Sequence, residues 1–192
     1  MAFAELLELP GGCMIDRHAG VIMTRSDPTQ SDIDAAFLRR SFDVARRAAT
    51  HGNHPFGAVL VDGDNNVLFE MENGYMPSHD ATGHAERLAA TKACTTYSAE
   101  VLSRSTLYSS AEPCAMCAGA LYWAGIGRLV YGLSEHRLRA ITGNHPENPT
   151  LDLPCRTVFE TGQRAVEVVG PLHEEEAAAL HADFWRGQSR DF

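Results

Sequence analysis

Four residues in two short stretches have the types and spacing to hold a metal and move protons. The first stretch is His84-Ala85-Glu86; the second is Pro113-Cys114-Ala115-Met116-Cys117. Apolar periodicity places each at the start of a helix. Cys114 and Cys117, at i and i+3, then project from one helix face. A helix N-terminus favours the thiolate that binds metal. Zinc takes tetrahedral nitrogen and sulfur ligands, and a catalytic zinc keeps one position for water. One imidazole and two thiolates supply three ligands and leave that fourth position. Glu86, two residues past His84, is turned from the ligand direction toward a pocket. A carboxylate there can take a proton from a water whose pKa zinc lowers to about 7, and pass it on. The competing readings are a structural zinc site and a redox Cys-x-x-Cys pair. No fourth cysteine stands at a spacing that suits the first. Cys13, Cys94 and Cys155 read as ordinary buried or surface thiols.

The elements that must position these residues follow from patterning. Residues 1–30 read as an N-terminal extension with turn chemistry at Pro10-Gly11-Gly12 and Ser26-Asp27-Pro28. Residues 31–192 read as one domain ending in a helix and a polar tail. Ser31 is the expected N-cap of an amphipathic helix over 32–49, with Ile33, Phe37, Val44 and Ala48 on one face and Gly52 closing it. Phe56 to Val61 is an apolar run suited to a strand buried on both faces. Asp62 to Asn66 is a turn, and Val67 to Met71 completes a hairpin. A helix from His84 to Cys94 and a strand at Thr106–Ser109 follow. A helix from Cys114 to Ala124 and a strand at Leu129–Leu133 come next. A loop from about Ala140 to Pro154 carries three prolines. Val166–Val169 is a fifth strand, and Glu174–Trp185 a last helix with an acid start suited to the helix dipole. Alternating strands and helices predict a three-layer α/β/α sandwich around a five-stranded mixed, largely parallel sheet.

Composition narrows the partners. The formal charge is −9, and Lys92 is the sole lysine. A phosphate-gripping protein usually carries a basic stripe, and none is visible, so a nucleic-acid partner is not expected. No apolar run reaches the ~20 residues of a membrane helix, and residues 1–10 lack the basic start of a signal peptide. With an odd cysteine count this points to a reducing, cytoplasmic location.

The paired stretches match the H-x-E and P-C-x-x-C pattern of zinc nucleobase deaminases. Over about residues 31–185 the chain resembles the zinc-dependent cytidine and deoxycytidylate deaminase superfamily, most closely its bacterial guanine deaminase branch. The matching stretches are Pro55-Phe56-Gly57-Ala58-Val59, Asn73, Asp80-Ala81-Thr82-Gly83-His84-Ala85-Glu86 and Glu112 through Ala124. The resemblance implies one zinc per subunit on His84, Cys114 and Cys117, with Glu86 as the proton-moving residue. It implies a base contacted by Asn73, Phe56, Ala85 and Trp123. Phe56 and Trp123 read equally as core aromatics, Asn73 as a turn residue, and His79 and Asp80 as a cap ahead of the His84 helix.

The chain departs from that branch in one region. The branch supplies a carboxylate from the loop after the fourth strand, and no Asp stands there in Thr142-Gly143-Asn144-His145-Pro146-Glu147-Asn148-Pro149. His145 and Glu147 are the candidates to replace it. The C-terminal Phe192 corresponds to an aromatic that closes a neighbouring subunit's pocket. The expectation is a homodimeric hydrolase releasing ammonia from a free nucleobase, nucleoside or related amino-azine. The alternatives are a tRNA adenosine deaminase and a zinc-stabilised module without activity.

Overall fold

The computed structural model describes residues 6–9, 13–16, 22–23, 28–143, 145–182 and 184–185. The turns expected at Pro10-Gly11-Gly12 and Ser26-Asp27, and the tail ending in Phe192, lie outside them. Met1–Ile33 and Asp34–Phe192 form separate compact units. The first carries an antiparallel three-stranded sheet: β1 (Leu6–Leu9), β2 (Cys13–Asp16) and β3 (Ile22–Met23). Sequence patterning assigned no strands here.

Helix α1 (Gln30–Thr50) starts earlier than Ser31 predicts. Its cap is Thr29: the Oγ1 accepts from Asp32 N at 3.2 Å while the Asp32 carboxylate accepts from Thr29 N at 3.0 Å. This reciprocal box satisfies two otherwise free donors, which Ser31, one residue inside the helix, cannot do. The chain leaves the helix through Gly52, at φ 82°.

The second unit is built on a five-stranded sheet of order β5-β4-β6-β7-β8. Its strands are β4 (Gly57–Val61), β5 (Val67–Glu72), β6 (Thr106–Ala111), β7 (Arg128–Leu133) and β8 (Glu167–Val169). The β4 strand pairs antiparallel with both β5 and β6, whereas β6–β7 and β7–β8 are parallel. The sheet is thus evenly mixed rather than largely parallel, because a second antiparallel pairing joins the hairpin to the βαβ part.

Every residue of β4 is buried, as its unbroken apolar run requires. Alternation along the strands divides the interior in two. Ala58, Leu60, Leu107, Leu129 and Tyr131 face one core with α2 (Ala85–Thr96), α3 (Ala99–Ser103), α4 (Ala115–Ala124) and α6 (Cys155–Glu160). Val59, Val61, Tyr108, Val130 and Leu133 face the other with α1, α5 (Glu135–Thr142) and α7 (Glu174–Ala182). The result is the three-layer α/β/α sandwich. The short helices α3, α5 and α6 were not expected from the sequence pattern, and only the end of α5 falls in the stretch read as loop. Ser98 and Ser134 cap the first two through Val101 N and Arg137 N. α5 runs to Thr142, so the loop begins only at Gly143, and α7 ends three residues short of Trp185.

The two cores are tied to specific contacts. Gly57 presses directly on α1: a Cβ there would lie 2.5 Å from Ala45 N and 2.6 Å from Ser41 O. Under the sheet, Arg128 meets the buried Asp34 of α1 with two bonds of 2.7 Å, and Tyr108 OH donates to the same carboxylate at 3.0 Å.

Candidate active site

Helices α2 and α4 bring the metal ligands together. Both helices bury small residues in the same core, Ala85, Ala89 and Ala93 from α2 and Ala118 and Ala124 from α4, and small side chains let helices approach closely. His84 is the N-cap of α2 and Cys114 the N-cap of α4. Two positive helix ends therefore converge on one point. Ahead of α2, Asp80 accepts from Thr82 N at 2.9 Å, from Thr82 Oγ1 at 2.7 Å and from Arg87 at 3.0 Å. These bonds fix the turn that delivers His84; Asp80 is structural as expected, but it does not cap α2, whose N-cap His84 has no side-chain cap bond.

The Nδ1 of His84 lies 3.7 Å from Cys114 Sγ and 3.6 Å from Cys117 Sγ. All three ligand atoms fall within 4.8 Å of one another. Zinc–nitrogen and zinc–sulfur bonds at a tetrahedral angle require about 3.6 Å between nitrogen and sulfur, so the donor set fits zinc. Hydrogen bonds from Cys117 first and His84 second pull the Cys114 thiol down to about 4, while the contact with Cys114 holds the Cys117 thiol up. Cys114 thus presents a thiolate at neutral pH, while the proton held on Cys117 is released when metal binds.

Glu86 is 4% exposed. Burial pushes its carboxyl above the usual range, against the pull of His84. Ser109 Oγ of β6 donates to Glu86 Oε1 at 3.1 Å, which leaves Oε2 for chemistry. Ser109 carried no signal in the sequence, since its role depends on β6 running beneath α2.

Beside the cluster opens a cavity of about 530 Å³, lined by Tyr75, Ala81, His84, Cys114, Glu135, Glu147 and residues 148–151 among others. That size suits a small organic ligand. A smaller hollow of about 30 Å³ lies against His84, Cys114, Glu86, Glu112, Glu135, Phe56, Leu138 and Asn148. The outer wall is set by Glu147, which accepts a bond from His54 at 3.1 Å; both side chains are about nine-tenths buried. Burial holds His54 below its usual pKa despite Glu147, so it meets the carboxylate as a neutral N–H donor. His54 also stacks on Tyr75 at 4.7 Å.

The residues expected to touch a base divide. Phe56 lines the inner hollow and packs on His181 at 5.0 Å. Asn73 is buried, its Oδ1 bonded to Tyr75 N at 3.0 Å, as its turn reading requires. Neither Asn73 nor the other three line either cavity. Ala85 is fully buried between α2 and α4. Trp123 is 85% exposed; six positions past Cys117 on a helix is a rotation of about 240°, which turns it off the metal face. His145 packs its ring on Trp185 at 5.0 Å and accepts from Glu147 N at 3.3 Å. The loop thus turns Glu147, not His145, to the cavity. Glu112 and Glu135 were not singled out; both are buried at the site. Glu112 accepts from Glu135 N at 3.0 Å and from Cys155 N at 2.9 Å, seating the starts of α5 and α6.

A three-layer sheet domain with a His-Cys-Cys zinc set and a buried glutamate beside it defines a zinc-dependent deaminase, a hydrolase acting on a carbon–nitrogen bond. The chain belongs to the cytidine and deoxycytidylate deaminase family, whose zinc-binding region matches residues 31–133. It is 40% identical to a probable cytosine deaminase of Schizosaccharomyces pombe over 82% of this chain and 95% of that one. It is 38% identical to a tRNA-specific adenosine deaminase of Haemophilus influenzae over 58% of this chain and 65% of that one. It is 41% identical to a guanine deaminase of Bacillus subtilis over 56% of this chain and 68% of that one.

Proposed function

We propose that this protein hydrolytically deaminates a free nucleobase of the cytosine or guanine type, releasing ammonia. The observation that carries the reading is Glu147, tied to His54 in the wall of a cavity that also exposes His84 and Cys114. A carboxylate so placed accepts from the N–H edge of a small planar ring. The near full-length similarity to a cytosine deaminase supports the same reading. A tRNA substrate asks instead for basic surface around an open site, and the chain carries a charge of −9.

Zinc held by His84, Cys114 and Cys117 supplies Lewis acidity and lowers the pKa of water. Glu86 takes the two protons of the attacking water in turn at Oε2, delivering the first to the ring nitrogen and the second to the departing amine. Ser109 fixes the carboxyl through Oε1 during both transfers. Phe56 packs against the base and excludes water. The net change is an amine-bearing ring carbon and water converted to a carbonyl and ammonia. Among the described residues no helix is long and apolar enough to cross a membrane. The cytoplasmic location belongs to the same proposal. So does a homodimer, whose contact would cover the exposed Trp123.

The test is ammonia release by the zinc-loaded protein from cytosine, guanine, adenine, their nucleosides, an amino-triazine and tRNA. Turnover of a free base is expected. Glu86→Gln keeps its zinc and loses activity by roughly 10²–10⁴-fold. Inosine in tRNA with no small-molecule turnover would refute the proposal, and retained activity in Glu86→Gln would refute the proton-moving role.

A further inference from the structure

Glu135 has an environment that the chemistry assigned above does not use. It is the first residue of α5 and only 6% exposed. Its backbone N–H is taken by Glu112. Its own carboxyl makes no hydrogen bond or ion pair with any described residue. The carboxyl opens on the two cavities, where a ligand group can meet it. An acid in the first turn of a helix is ordinary when it faces water, but this one faces inward.

The place it faces is specific. With His84, Cys114 and Asn148, Glu135 lines both the outer cavity and the inner hollow where Glu86 lies. It therefore borders both cavities, as His84, Cys114 and Asn148 do. A ligand that spans the two cavities meets this carboxyl.

We propose that Glu135 is a specificity-determining residue whose carboxyl hydrogen-bonds the nitrogen edge of the bound base. The ligand class is an amino-substituted nitrogen heterocycle with a ring nitrogen or N–H beside the reacting carbon. In its protonated form the Glu135 carboxyl offers one donor and one acceptor, the pattern that an amidine or lactam edge complements. Glu147 and Glu135 then hold the ring from two walls, and Glu86 is left to move protons. This rests on the nucleobase reading.

The experiment first identifies the base that the zinc-loaded wild type deaminates. It then measures KM, kcat, zinc content, melting temperature and calorimetric affinity for the deaminated product, uracil or xanthine, in Glu135→Leu. A contact made equally in the bound and activated states raises KM without lowering kcat. The expected result is a rise of about ten- to a hundred-fold in KM and in product Kd, with full zinc. Unchanged KM and Kd in a zinc-loaded variant would overturn the proposal. If Glu135→Leu does not fold, Glu135→Gln decides: a change of ten-fold or more in the ratio of kcat/KM for two bases supports it, and an unchanged ratio overturns it. Absence of any base turnover by the wild type sinks the nucleobase reading instead.

Discussion

His181 gives the fold a pH dependence that can be worked out from its surroundings. Its ring is fully buried on α7. Trp185 Nε1 donates to its Nδ1 at 3.1 Å. Nδ1 is therefore the acceptor, and the proton of the neutral ring sits on Nε2, which has no partner. Burial pushes the pKa from 6.5 down to about 3. A depressed folded pKa means that the unfolded chain takes up the proton first. The contribution is complete above pH 6.5 and is lost as pH falls toward 3. Linkage makes the loss about 2 kcal/mol between pH 7.5 and pH 5, on the way to about 5 kcal/mol in full. In His181→Leu that proton cannot bind. At neutral pH the variant loses the acceptor for Trp185 but also an unpaired N–H, two effects of about 1–3 kcal/mol each that oppose one another. Urea unfolding of both zinc-loaded proteins from pH 7.5 to 5 separates these effects. The variant should gain about 2 kcal/mol on the wild type across that range. Curves that stay parallel within about 0.5 kcal/mol would refute the buried, neutral histidine.

Two further changes probe the scaffold. Asp34→Ala removes two bonds from Arg128, whose side chain is 16% exposed, leaves it only the exposed Glu167 at 3.0 Å and takes the acceptor from Tyr108; it should cost about 3 kcal/mol in urea, and a loss below about 1 kcal/mol would show the pair to be solvated. Gly57→Ala sets a methyl group against the α1 backbone, which cannot turn aside, and should lower stability by at least about 2 kcal/mol. An unchanged melting temperature would mean that α1 does not press on β4 as described.

The sequence by itself determined the metal set, the proton-moving candidate and the layering of the domain. His84, Glu86, Cys114 and Cys117 were legible because their roles need short, local spacing at two helix starts. The main strands were legible because burial writes a period of two or an unbroken apolar run. Tertiary structure alone decided the rest. Ser109 reaches Glu86 only because β6 runs beneath α2, and His54 meets Glu147 across ninety-odd residues of chain. Glu135 and Glu112 look like ordinary surface acids until the fold brings the starts of α5 and α6 onto the Glu112 carboxylate beside the site. Trp123 was placed at the base through resemblance, and helix rotation puts it outside in this chain. Local pattern encodes which side chains share a face; which faces meet depends on contacts between distant segments, and those set the pocket.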